Sequence, residues 1–319
     1  MLRTMIDGAR IRPQCRAMSV TASVLPVALV ILIGHLARRS ALVPENAWPG
    51  VEIFCYRILY PAIMLISVYR ADLNWTRVGP YGISLLLMTA AGGVLAVIAR
   101  LIWRMPDPQF TTVFQAVTRW NSFIGLALGA SIMGTAGNAL ISVGIAFLIP
   151  IINVVNILLM AIWGTGRGGI GRMLLAIATN PLILGCMGGL ALNLGGIRMP
   201  EPLAATLDMI GTAAISVSLL IVGAGVQVRR LWSISVPLGM AVGLRLLAMP
   251  LIFLALAQYF GLSPDLTMAG MIIASVPTAA NGYLIARQMG GDAELFADIL
   301  SWQTVLSVLS IPFVLSFVT

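Results

Sequence analysis

The chain has 319 residues, 59% of them apolar and only 9% charged, and its formal net charge of +8 rests on 19 basic residues that are all arginine. A soluble domain usually carries about 25% charged residues, so a soluble enzyme is excluded. The basic excess is not read as a nucleic-acid surface either, because the arginines lie mostly in loops and at the ends of apolar stretches.

Residues 1–19 read as an N-terminal tail containing Arg3, Arg10, Arg12 and Arg16. Met18, directly before the first apolar stretch, is an alternative initiator that would make residues 1–17 an upstream extension. A cleaved signal peptide is not expected, since that stretch is too long and ends in Arg38 and Arg39 without a small-residue cleavage site. Ten stretches follow that are long enough for a hydrocarbon core of ~30 Å: 20–37, 51–69, 80–103, 110–134, 138–163, 171–194, 202–226, 232–257, 265–290 and 294–317. Helices are expected, because lipid offers backbone amides no partner and the alternation of a barrel strand is missing. The predicted fold class is an all-α membrane protein: a first five-helix unit at 20–163, a short cytoplasmic linker at 164–170 and a second unit at 171–319.

Arg38, Arg39, Arg104, Arg167, Arg172, Arg229 and Arg230 fall in the loops on one side, whereas the opposite loops hold Arg70, Arg77 and Arg198. The positive-inside rule then places both termini outside, although the arginines of the tail argue the other way. Cys15, Cys55 and Cys186 are too scattered for a disulfide framework, and the lone His35 has no partner for a metal site, so no cofactor is expected.

Polar residues inside the apolar stretches are costly and mark function by default. Span four carries Arg119-Trp120-Asn121-Ser122-Phe123-Ile124-Gly125, with Arg119 ~14 Å from the span's start at 1.5 Å per residue. Asn153 and Asn156 share one helix face in span five, and serve either as substrate contacts or as helix-joining amides. Asn180 opens span six, Asp208 is the acid well inside span seven, and Arg245 lies deep in span eight. In span nine, Pro277 removes a backbone donor near mid-span and disfavours helix at Val276, so a break is expected beside Thr278 and Asn281. The candidate substrate-binding set is Arg119, Asn121, Ser122, Asn153, Asn156, Asn180, Arg245, Pro277, Thr278 and Asn281. Asp208 is either a proton or ion carrier or the structural partner of an arginine.

Setting residues 108–134 against 264–290 aligns Pro108 with Pro264, Thr111 with Thr267, Leu128 with Leu284, Ala130 with Ala286, Met133 with Met289 and Gly134 with Gly290. A five-span unit followed by its copy places the copy upside down, the inverted repeat of secondary transporters, with spans four and nine as the discontinuous helices.

These residues resemble the auxin efflux carrier family, which includes bacterial malonate-type carriers and plant PIN-FORMED carriers. The resemblance rests on the Arg119–Gly125 run, Asn180-Pro181, Val276-Pro277-Thr278 and Gly290-Gly291-Asp292. It implies ten helices as a 5+5 inverted repeat like that of sodium/proton antiporters. Helices four and nine would cross as broken helices near Asn121 and Pro277, and one bundle would move in an elevator cycle. Where the plant carriers place a proline just before the asparagine, this chain has Trp120. The expected function is secondary transport of a small organic anion, mono- or dicarboxylate, with the coupling ion, proton or sodium, left open. A sodium-coupled carrier like the bile-acid symporters is the alternative. The expected partners are the anion, membrane lipid and a second copy in a homodimer. An embedded lipid-phosphate enzyme is disfavoured because no two acids cluster inside one span, and a channel because broken inverted repeats serve alternating access.

Overall fold

The computed structural model describes residues 13–163, 170–232 and 234–318. The expected linker, save Ile170, and most of the N-terminal tail lie outside them. Among the described residues every regular element is helical. α1 (Pro13–Arg39) is followed by α2 (Trp48–Phe54) and α3 (Tyr60–Tyr69), joined through a π-turn at Cys55–Leu59. α4 (Trp75–Trp103), α5 (Asp107–Thr118) and α6 (Ser122–Trp163) complete the first half. The second half comprises α7 (Ile170–Ala178), α8 (Pro181–Leu194), α9 (Glu201–Gly225), α10 (Val236–Gly243), α11 (Met249–Tyr259), α12 (Pro264–Ser275), α13 (Gly282–Met289) and α14 (Ala293–Leu315).

Seven helical stretches among the described residues are long and apolar enough to cross a membrane, against the ten expected. Three local features account for the difference. First, expected spans four and five fall in one run, Asp107–Trp163. Within it Gly134 takes φ +65°, ψ −146°, a conformation open to glycine, and the chain turns back there. In a straight helix Gly129 and Gly137 would stand ~12 Å apart; here a Cβ on Gly137 would lie 2.1 Å from the Gly129 carbonyl oxygen. The two arms of α6 therefore pack against each other as a tight hairpin. Second, the stretch around 171–194 is interrupted at Thr179-Asn180, where the Asn180 Oδ1 accepts from the N–H groups of Leu182 (3.0 Å) and Ile183 (3.3 Å) and starts α8 afresh. Third, the stretch around 265–290 is divided between α12 and α13.

Packing is closest where glycine removes a side chain. A Cβ on Gly223 of α9 would sit 1.8 Å from the Ile31 carbonyl oxygen of α1, so these helices meet backbone to backbone, as small residues permit in a membrane. His35 Nδ1 donates to the Val226 carbonyl at 3.0 Å and Arg38 Nη1 to the Ala224 carbonyl at 2.7 Å, fastening the same seam. Leu25, Leu29, Leu32, Ile33 and Leu36 of α1 point outward and are about half exposed, as an apolar solvent would require. α5, α12 and α14 form the interior, with Val113, Ala116, Ile272, Ile273, Phe296 and Ile299 sealed from solvent.

Candidate functional site

Two interruptions of the helical backbone meet at the centre. α5 stops at Thr118, Arg119 is extended (φ −79°, ψ 144°), and α6 begins at Ser122. Asn121 starts it: its Oδ1 accepts from the N–H groups of Phe123 (3.2 Å) and Ile124 (3.1 Å), an N-cap made by an asparagine side chain. In the second half α12 stops at Ser275, Val276 is extended (φ −69°, ψ 148°), and Pro277-Thr278-Ala279-Ala280-Asn281 leads into α13. The Asn121 N–H donates to the Pro277 carbonyl at 2.9 Å, so the two breaks are joined through their main chains.

A broken helix leaves carbonyls unpaired where it ends and N–H groups unpaired where it restarts, with matching partial charges. The carbonyl ends are served by Arg245. It lies in a π-turn at Leu244–Ala248 and is 1% exposed. Its Nε donates to the Val276 carbonyl (2.8 Å), its Nη2 to Ile273 (2.7 Å) and its Nη1 to Val117 (3.3 Å). One guanidinium thus closes the ends of both α5 and α12. Gln303 of α14 supports the second break, accepting from the Thr278 N–H at 2.8 Å and donating to the Ala241 carbonyl at 2.9 Å.

The restarting ends of α6 and α13 face a small cavity of about 30 Å³. Arg119, Trp120, Asn121, Ser122, Phe123, Asn153, Ala279, Ala280 and Asn281 line it, together with Tyr60 and Ser218. Tyr60 and Phe123 stack across one wall with ring centroids 4.2 Å apart. Arg119 is 4% exposed. Its Nη2 reaches the Asn281 Oδ1 at a long 3.4 Å, and its Nη1 has no partner. No acid lines the cavity. The described ion pairs are all peripheral: Arg38 with Glu45, Arg70 with Asp208, Arg100 with Asp107, and Arg230 with Glu294 and Asp298. A buried guanidinium beside two helix N-termini, with no carboxylate to neutralise it, has chemistry that suits an anion.

Residues 170–315 match the family model described as membrane transport protein. Over nearly its whole length the chain is also similar to two curated proteins. One, named "Putative malonate transporter", is from Rhizobium meliloti (strain 1021), 26% identical over 318 residues covering 92% of this chain and 93% of that protein. The other, named "Uncharacterized transporter", is from Methanothermobacter thermautotrophicus, 24% identical over 308 residues covering 92% and 97%. The chain is similar to membrane transport proteins. The family resemblance read from the motifs is borne out, and with it an integral membrane protein of transporter type. The family match takes in α7–α14, with the second break, Arg245 and Gln303, and leaves out Arg119 and the first break.

Of the candidate residues, Arg119, Asn121, Ser122, Asn153 and Asn281 line this cavity. Pro277 supplies the carbonyl that joins the breaks. The other candidates sit elsewhere. Arg245, expected to meet substrate, spends its donors on carbonyls. Asn180 caps α8. Asn156 donates to Thr118 Oγ1 (3.2 Å) and the Ile152 carbonyl (2.8 Å), and neither it nor Thr278 is on the cavity wall. Asp208 is partly exposed and paired with Arg70 at 2.6 Å, away from the cavity, which is the structural alternative raised for it. Tyr60, Trp120, Ser218 and Gln303 were not among the expected site residues. Trp120 alone stood inside a recognised motif, and the others gave no local signal.

Proposed function

We propose that this protein carries a small organic anion, a mono- or dicarboxylate of the malonate type, across the bacterial cytoplasmic membrane by alternating access. The observation that carries the reading is Arg119: buried, without a carboxylate, and lining a cavity beside the starts of α6 and α13. The name of the Rhizobium relative points to the same chemistry. The test is a thermal-stability screen of the purified protein with malonate, longer dicarboxylates, a bile acid and indole-3-acetate, each with and without sodium and at two pH values. A small carboxylate that raises the melting temperature without sodium is the expected result, since a ligand that binds only the folded state stabilises it. Stabilisation of the bile acid complex by sodium would favour the symporter-like alternative, and no response to any carboxylate would overturn the anion reading.

The layout we propose is ten spans as two inverted five-helix units, moving one bundle past another. Several matches support it. α5 and α12 are both 12 residues long and both end in an extended residue at the breaks. Gly134 and Gly290, aligned in the sequence comparison, both take positive φ, +65° and +80°. The orientation with both termini outside follows from the arginine distribution. In a background without the native cysteines, an impermeant thiol reagent should label Glu201→Cys on intact cells and leave Ser40→Cys untouched. Both positions are exposed, and the reverse pattern would invert the topology.

A further inference from the structure

Three buried polar atoms of residues that line the cavity have no partner among the described residues: Arg119 Nη1, Trp120 Nε1 and Asn153 Oδ1. Their chemistry is not symmetrical. The first two can only donate a hydrogen bond. The orientation of the Asn153 amide is set by its own helix, because its nitrogen donates to the Ile149 carbonyl at 2.9 Å, and only the oxygen is left for the cavity. Trp120 and Asn153 are each 2% exposed, and because buried polar groups are ordinarily hydrogen-bonded, the unmet bonds mark these atoms as places for a partner. The wall carries one cationic side chain and no acid.

We propose that the site selects a singly charged carboxylate that also bears a hydrogen-bond donor. The carboxylate would accept from Arg119 Nη1 and Trp120 Nε1, and the donor would face Asn153 Oδ1. This inference rests on the anion reading above and deepens it. For a dicarboxylate it designates the half-protonated form: fully ionised, the second carboxylate would set acceptor against acceptor at Asn153 and bring a second negative charge to a site with a single cation. A hydroxyl, amide or ring N–H in place of the carboxylic acid supplies the same donor.

Three compounds of similar size separate the possibilities when their binding to purified protein is measured by calorimetry. Malonamate, the monoamide, has one charge and a donor at any pH above its single carboxyl pKa. Monomethyl malonate has the same charge and no donor. Malonate itself loses its donor as pH rises through its second ionisation. Malonamate is expected to bind at least tenfold more tightly than monomethyl malonate, and malonate affinity to fall with the singly protonated fraction while that of malonamate stays level. In Asn153→Leu, checked for folding by its melting temperature, the tenfold preference should vanish through a loss on the malonamate side. Equal binding of malonamate and monomethyl malonate by the unaltered protein overturns the proposal while leaving the anion reading intact, and so does a preference that survives in Asn153→Leu. Absence of binding by all three overturns both.

Discussion

Replacing Arg245 with leucine should destabilise the protein by about 3–5 kcal/mol, visible as a large fall in melting temperature in detergent. The guanidinium closes three carbonyls, those of Val117, Ile273 and Val276, in a place where water does not substitute for it. Each buried acceptor left unpaired costs ~1–3 kcal/mol, and hydrogen bonds from a charged donor lie toward the upper part of that range. Lysine should recover only part of the loss, since a single ammonium does not reproduce the planar fork that serves ends of two helices. A leucine variant as stable as the parent would show that the two breaks hold their shape without this cap.

Arg119 should behave in the opposite way. Arg119→Gln removes the only cation on the cavity wall and is expected to weaken binding of a small carboxylate by ~10- to 100-fold, in line with ~1.5–3 kcal/mol for a hydrogen bond to a charged group. Arg119→Lys, which keeps the charge and loses the bidentate fork, should cost ~1 kcal/mol or more. Stability should hold or rise, because a buried and partly unsatisfied charge is itself a liability that the folded protein carries without an ion pair. The pair of variants therefore divides two arginines that look alike in the sequence: one whose loss is read in melting temperature, the other in affinity. Affinity unchanged in Arg119→Gln would remove this residue from the site.

That likeness marks the limit of what the sequence discloses. Pro277 betrays its break directly, because a missing N–H and a restricted neighbour act on the chain where they stand. The run Arg119–Gly125 betrays the other, since polar groups in an apolar stretch have no local explanation. Both effects are local, and both were legible. Arg245 was not, because the atoms that decide its role belong to residues 128, 28 and 31 positions away. The same holds for Asp208, whose partner Arg70 is 138 residues distant, and for Gln303, which meets Thr278 and Ala241 across 25 and 62 residues. Gly134 falls between. Its place near the end of a span was readable, whereas the backbone contact of Gly129 with Gly137 that makes the turn so tight depends on how two arms pack.

The seam between α1 and α9 has a consequence for biosynthesis. The partners that satisfy His35 and Arg38, the carbonyls of Val226 and Ala224, lie 191 and 186 residues downstream. At ~5–20 residues per second, the first helix leaves the ribosome about 10–40 s before its neighbour exists. In that interval Gly34 faces no backbone, and the imidazole and guanidinium must find water or lipid headgroups at the interface. α1 is thus seated only once α9 has been made, and its mature packing reports that this part of the second half of the chain has arrived.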